Sequence, residues 1–319
     1  MGEQKKMKIV LLEDLGCTPE LIARNADRLR ELGHELTIFK RTEDLETLKN
    51  EVRDADVIML ANMPLPAEVL EAAPDAKFID VAFTGIDHIP VSDAKKRSIV
   101  ISNASGYADE AVAELCISFM IQLLRQLNDA QTRCRNGGTK AGLSARLIEG
   151  KTVGLIGAGA IGKRLAALLK AFGARVIAHN RHKVEDINID DNVSLDELLE
   201  SADIVSIHCP LTSETRGMIG KDELKKMKKS ALLINTGRGP VVDNAALADA
   251  LNKGELAGAA CDVFEMEPPL PADYPLLASK NTIVTPHLGF YSEESLEKRA
   301  EIAFDNLYAW LDGRPVNVM

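Results

Sequence analysis

The chain has 319 residues, room for about two domains at ~150 residues each, and its 46% apolar and 27% charged residues are ordinary for a folded globular protein. Lys and Arg total 38 against 48 Asp and Glu, a formal charge of −10, and that sign repels phosphate backbones and anionic lipid surfaces. Neither nucleic acid nor a membrane is an expected partner, and a small anionic substrate would need a local cationic pocket.

The five cysteines, Cys17, Cys116, Cys134, Cys209 and Cys261, are scattered and show no CxxC spacing. Neither a disulfide framework nor a thiolate zinc site is indicated, and no metal is expected. Cys116 and Cys261 sit in apolar stretches and read as small core residues. The start, MGEQKKMKIVLLE, runs from a short charged leader into a strand without a signal-type apolar region or cleavage site. No uninterrupted apolar run approaches the about 18 residues of a membrane span. A reducing, cytoplasmic setting is the expectation.

In chain order, strands are predicted over 8–13, 34–40, 56–60, 77–83 and 98–102. A helix over 19–32 places Leu21, Ile22, Leu29 and Leu32 on one face. His34 opens a strand and is expected at the surface. A long helix over 109–127 follows, with Val112, Leu115, Cys116, Phe119, Leu123 and Leu127 on one side. Ile117, Met120, Ile121 and Leu124 extend its apolar character almost all round. Such a helix must be buried on most sides, between domains, against a second subunit or inside a core. Six further strands, over 152–156, 175–178, 203–207, 231–235, 257–262 and 282–285, repeat the alternation, and a helix over 293–311 follows. Strands alternating with helices give an α/β fold: two doubly wound parallel-sheet domains, Rossmann-like or flavodoxin-like.

The strongest local signal is Gly157-Ala158-Gly159-Ala160-Ile161-Gly162, which follows a strand and opens a helix over 160–172. In that context GxGxxG reads as a dinucleotide site. Gly157 allows the tight turn, Gly159 lets the backbone approach a pyrophosphate, and Gly162 lets helix and strand pack closely. The next strand should end in the acidic residue that grips an NAD ribose, yet it reads His179-Asn180-Arg181-His182, and the first carboxylate is Glu185. Nothing there repels a 2′-phosphate, and the Arg181 fork suits one, so NADP(H) is expected to be preferred with NAD(H) possible. The other reading is that Arg181 stacks on adenine.

Arg238, Glu267 and His287 each lie just beyond the carboxyl end of a predicted strand, where ligands bind in open α/β sheets. A cation, a carboxylate and an imidazole beside a nicotinamide suffice to reduce a 2-oxo acid. Among the other histidines, His88 reads as a support for its loop. His179 and His182 lack the further ligands a metal would need, and the only tryptophan, Trp310, reads as packing.

At this point the sequence resembles the D-isomer-specific 2-hydroxyacid dehydrogenases over essentially its whole length. The matching runs are Thr84-Gly85-Ile86-Asp87-His88, Asn103-Ala104-Ser105-Gly106-Tyr107, residues 150–162, and His208-Cys209-Pro210-Leu211-Thr212 with Thr215. Residues 235–239, 262–268 and Pro286-His287-Leu288-Gly289 complete them. The resemblance implies a catalytic domain from 1–102 plus 289–319, a nucleotide-binding domain over 103–288, a cleft between them, and a homodimer built on the apolar helix. It further implies that Arg238 holds the substrate carboxylate and polarises the carbonyl, that His287 is the acid in reduction, and that Glu267 orients it. Backbone N–H groups of Thr84, Gly85 and Ile86 would meet the carboxylate, with Tyr107 lining the pocket. Ala160 and Ile161 belong to the dinucleotide loop, Asp262 with the Thr236 and Gly237 carbonyls would fix the nicotinamide amide, and Pro210 would lie against its ring. His208, Cys209 and Thr215 would sit near the coenzyme, with Asn180, Arg181 and His182 at the ribose.

The departures bear on substrate. Many relatives carry a tryptophan before the dinucleotide motif, and residues 134–144 have none. The loop 61–66 holds no cation, which weighs against a phosphorylated substrate such as 3-phosphoglycerate. Glu267 stands where the formate dehydrogenase subgroup has an amide. The expected activity is reduction of a small 2-oxo acid such as glyoxylate or hydroxypyruvate. The alternatives are a nicotinamide-sensing co-regulator on the same fold, which would need neither Arg238 nor the Glu267–His287 pair, and a phosphoglycerate dehydrogenase without a regulatory domain.

Overall fold

The computed structural model describes residues 6–319; the start of the charged leader lies outside the described residues. From there β1 (Lys8–Leu11), α1 (Pro19–Glu31), β2 (Glu35–Ile38), α2 (Leu45–Val52), β3 (Val57–Leu60), α3 (Ala67–Glu71), β4 (Phe78–Val81), α4 (Val91–Lys96) and β5 (Val100–Asn103) alternate strictly. The five strands pair in the order β2-β1-β3-β4-β5, every pair parallel. Next come α5 (Asp109–Arg125) and α6 (Leu127–Arg135), then β6 (Thr152–Ile156), α7 (Ala160–Ala171), β7 (Arg175–His179) and β8 (Asp191–Asn192). They are followed by α8 (Leu195–Ser201), β9 (Ile204–Ile207), α9 (Lys221–Lys226), β10 (Leu232–Asn235), α10 (Asn244–Lys253), β11 (Gly258–Cys261), β12 (Thr282–Val284) and α11 (Glu293–Leu311). The second sheet runs β12-β11-β10-β9-β6-β7-β8, also parallel throughout. The two parallel sheets make the expected α/β architecture.

The chain divides into two units, one running up to Ala108 and taking in Tyr291–Met319, the other Asp109–Phe290. Strands covered by helices on both faces read as continuous apolar runs, and β3, Val-Ile-Met-Leu, is wholly buried. In the first unit Ile9, Val57, Met59 and Phe78 meet Ala300, Ala303, Phe304 and Leu307 of α11. Each large side chain so buried contributes about 1.5–3 kcal/mol. Trp310 does pack, stacked on Phe78 with ring centres 5.0 Å apart. Cys116 and Cys261 are buried, as their apolar settings implied. Among the described residues no helix is long and apolar enough to cross a membrane.

Two expectations need correction, and one element escaped the sequence. The helix predicted over 109–127 stops at Arg125, because Gln126 turns left-handed (φ +50°) and α6 starts at Leu127, which is 42% exposed. Gln126 Oε1 there accepts the Ser144 N–H at 2.9 Å. His34 is not at the surface: it is 5% exposed, its Nδ1 accepts the Met7 N–H at 3.2 Å, and burial lowers its pKa. The sequence also hid β8, an exposed two-residue edge strand with no apolar pattern.

Candidate active site

Strands β10, β11 and β12 are neighbours in the second sheet, so the segments leaving their carboxyl ends emerge side by side. After β10 the turn is built round buried Asn235. Its Oδ1 accepts the Gly237 N–H at 3.1 Å and its Nδ2 donates to the Arg238 carbonyl at 3.1 Å. Arg238 Nη1 donates to the Gly237 carbonyl at 2.8 Å, which aims the guanidinium along its own turn.

His287 holds a left-handed backbone (φ +58°), a conformation that costs a non-glycine residue about 1–3 kcal/mol and persists only where the surroundings impose it. Asp262 imposes it. This fully buried carboxylate accepts the Thr285 hydroxyl at 2.6 Å and the Leu288 and Gly289 N–H groups at 2.7 Å each. The Asp262 carbonyl takes the His287 N–H at 3.0 Å. The imidazole Nδ1 then stands 3.0 Å from both Glu267 oxygens and donates to them, which fixes the tautomer. Phe290 meets the ring edge-on at 5.3 Å.

At β6 the dinucleotide motif has its expected form. Gly157 is left-handed (φ +92°), and a β-carbon there would fall 2.6 Å from the Cys209 nitrogen, so only glycine lets this turn lie against the tip of β9. Gly159 caps α7 with open space where a side chain would stand, followed by Ala160, Ile161 and buried Gly162 in the first turn. Asn180 Oδ1 accepts the Ala158 N–H at 2.8 Å, tying the end of β7 to the loop; Arg181 and His182 are exposed beside it. His208 Nε2 lies 2.8 Å from Ser206 Oγ, and burial depresses the imidazole to about 4, so it is neutral. Burial pushes the Cys209 thiol up to about 11. Thr215 Oγ1 donates to the Pro210 carbonyl at 2.7 Å, closing the turn after β9, and Thr236 Oγ1 lies 3.3 Å from Cys116 Sγ.

The remaining candidates belong to the first unit. Thr84, Gly85 and Ile86 follow β4, where Asn103 Nδ2 donates to the Thr84 carbonyl at 2.7 Å. His88 supports this loop through Nε2, 2.9 Å from the Ala61 carbonyl. Tyr107 is 2% exposed and packs on Phe83 with ring centres 6.1 Å apart. The loop 61–66 has no cation of its own, yet Arg41 Nη1 reaches Asn62 Oδ1 at 3.0 Å, its charge offset by buried Glu13 at 2.9 Å.

A family model described as D-isomer specific 2-hydroxyacid dehydrogenase, NAD binding domain, matches residues 117–289, from the glycine loop through all three strand ends. The chain belongs to this family. It is 33% identical to the hydroxypyruvate reductase of Blautia hydrogenotrophica over 98% of this chain and 99% of that one. It is 40% identical to the glyoxylate reductase of Thermofilum pendens over 84% of this chain and 82% of that one. The solved NADPH-dependent glyoxylate/hydroxypyruvate reductase of Sinorhizobium meliloti, in complex with NADP and malonate, superposes with a TM-score of 0.86. That match is 30% identical and covers 99% of this chain and 97% of the other.

This dehydrogenase is therefore an oxidoreductase that uses a nicotinamide coenzyme on small 2-hydroxy or 2-oxo acids. The open space at Gly159, at the start of a helix, fits the pyrophosphate of such a coenzyme. The sequence reading passed over Asn235, which shapes the Arg238 turn, and the grip of Asp262 on residues 285–289. A buried polar residue at a strand's end was the available signal.

Proposed function

We propose that this dehydrogenase reduces glyoxylate or hydroxypyruvate and prefers NADPH. The observation that carries the chemistry is His287 Nδ1 at 3.0 Å from both oxygens of Glu267, on strand ends next to the Arg238 turn. The nicotinamide supplies the hydride when bound. Arg238 would hold the substrate carboxylate and polarise the carbonyl, while His287 Nε2 gives its proton to the developing alkoxide. Both then stabilise the transition state more than the ground state. Glu267 orients the imidazole.

The second unit is proposed to bind the coenzyme and the first the acid, where the N–H groups of Thr84, Gly85 and Ile86 would suit a carboxylate and buried Tyr107 backs their loop. Asp262, Thr236, Gly237, Pro210, His208, Cys209 and Thr215 would surround the nicotinamide half of the coenzyme. Asn180, Arg181 and His182 would meet the ribose. The Asn180–Ala158 bond supports the NADPH reading, since a neutral amide occupies the place of the ribose-gripping carboxylate. The competing reading is NADH with Arg181 stacked on adenine. A homodimer is also proposed, covering the α5 side where Leu147 and Phe172 are 58% and 44% exposed. The test is a spectrophotometric screen of 2-oxo acids with both coenzymes. NADPH oxidation by glyoxylate or hydroxypyruvate is expected; no oxidation of either coenzyme by any acid would overturn the reading in favour of a sensor.

A further inference from the structure

Glu267 stands on an irregular stretch after β11, and its side chain is 68% exposed. A carboxylate so placed can meet His287 at 3.0 Å only if its backbone is held. Two residues earlier, Glu265 reaches two buried donors. Its Oε2 accepts the Tyr274 hydroxyl, and its Oε1 accepts Asn244 Nδ2 at 2.9 Å. Both partners are fixed. Asn244, 2% exposed, is the first residue of α10, whose cap Asp243 accepts the Ala246 N–H at 2.9 Å. Tyr274, 9% exposed, meets Phe264 edge-on at 5.5 Å, and burial with the Glu265 charge raises its phenol pKa, so it stays a donor. The Asn244 amide turns its nitrogen to Glu265 and leaves its own Oδ1 buried without a partner. A buried acceptor is rarely left unpaired, so the amide's orientation serves Glu265.

We propose that Glu265 is a positioning residue for the proton-donating pair: clamped by Tyr274 and Asn244, it sets where Glu267 meets His287. The inference rests on His287 being the proton donor. Glu265 acts through geometry and not through its charge. A glutamine would keep the clamp once the Asn244 amide turns over, its oxygen accepting from Tyr274 and its NH2 donating to Asn244 Oδ1.

The test compares Glu265→Ala, Glu265→Gln and Tyr274→Phe in the full chain, each also in a His287→Asn background. The readings are kcat, KM and coenzyme Kd. Glu265→Ala and Tyr274→Phe should lower kcat about 10–100-fold with coenzyme Kd unchanged, the scale expected of a small displacement of reacting groups. Glu265→Gln should retain most of the activity. If Glu265→Gln is as slow as Glu265→Ala, the charge acts directly and the clamp is wrong. If Glu265→Ala costs as much turnover in the His287→Asn background as in the parent, the role is only structural and the proposal fails. In the His287→Asn background Glu265→Ala should add no further loss. Near-normal turnover of His287→Asn itself would instead remove the proton-donor assignment.

Discussion

Gly239 and Phe264 meet backbone to backbone: a β-carbon on Gly239 would fall 1.9 Å from the Phe264 carbonyl carbon. The turn that carries Arg238 and the stretch that leads to Glu267 therefore touch with no side chain between them. Gly239→Ala must push the two apart. Overpacking of this kind costs about 1–3 kcal/mol, so the melting temperature should fall. Turnover should drop more than tenfold, because Arg238 and Glu267 separate. Thermal unfolding and steady-state kinetics check this, and a silent Gly239→Ala would mean that the contact is not kept in solution.

His287→Asn removes the proposed proton donor and leaves the glycine loop untouched. Turnover should fall ~10²–10⁴-fold, the usual contribution of general acid catalysis, while coenzyme affinity holds. Near-normal rates at neutral pH would assign the proton to another group.

Arg238→Lys keeps the charge and loses the planar fork. Both substrate KM and kcat should worsen, since in the proposed mechanism one group holds the carboxylate and polarises the carbonyl. Binding of the oxidised coenzyme alone, followed by fluorescence titration, should barely change; unaltered kinetics would make Arg238 structural.

For coenzyme choice, the double change Asn180→Asp with Arg181→Pro should reverse a preference for NADPH. The aspartate repels the 2′-phosphate, and the lost guanidinium removes charge-assisted hydrogen bonds of ~1.5–3 kcal/mol each. Added salt should weaken NADPH use more than NADH use, because the proposed contact between Arg181 and the 2′-phosphate is ionic and exposed. Equal or better use of NADH by the parent protein at low salt would reduce Arg181 to an adenine stack.

Asp80 gives a stability prediction. Burial in β4 pushes its carboxyl well above the ordinary carboxylate range, and the Asn306 amide at 3.2 Å offsets this only in part. A raised folded-state pKa means that the folded chain holds this proton more tightly than the unfolded chain. The contribution is complete below the unfolded value of 3.8 and is lost as pH climbs towards the folded value. Asp80→Asn removes that titration. Its stability relative to the parent should therefore rise with pH, by up to about 1.4 kcal/mol per unit. Urea unfolding at pH 5 and pH 8 measures the slope; a difference that does not change with pH would show that Asp80 is ionised in the fold.

What could be read from the chain follows from where the information lies. β3 is apolar at every position and β9 at all but Ser206, and both are buried along their length, so their sequence alone marks them. The left-handed break at Gln126 carries no glycine or proline, and its side chain is held by Ser144, 18 residues away. His34 is polar at a strand's start, and only the Met7 N–H shows why it is buried. Arg238, Glu267 and His287 were visible because each follows a strand. The clamp on Glu265 was not, since Tyr274 lies nine residues off in an irregular stretch and Asn244 lies 21 residues back on a helix.

The strand order has one more consequence. Arg238, Glu267 and His287 follow β10, β11 and β12, whereas Asn180 and Arg181 follow β7, four strand spacings from β11. At about 4.8 Å per spacing that is roughly 19 Å, more than twice the distance over which charges feel each other at physiological salt. Mutations so far apart combine additively. A lineage could therefore exchange one redox currency for the other without retuning its acid, and alter its acid without disturbing the currency.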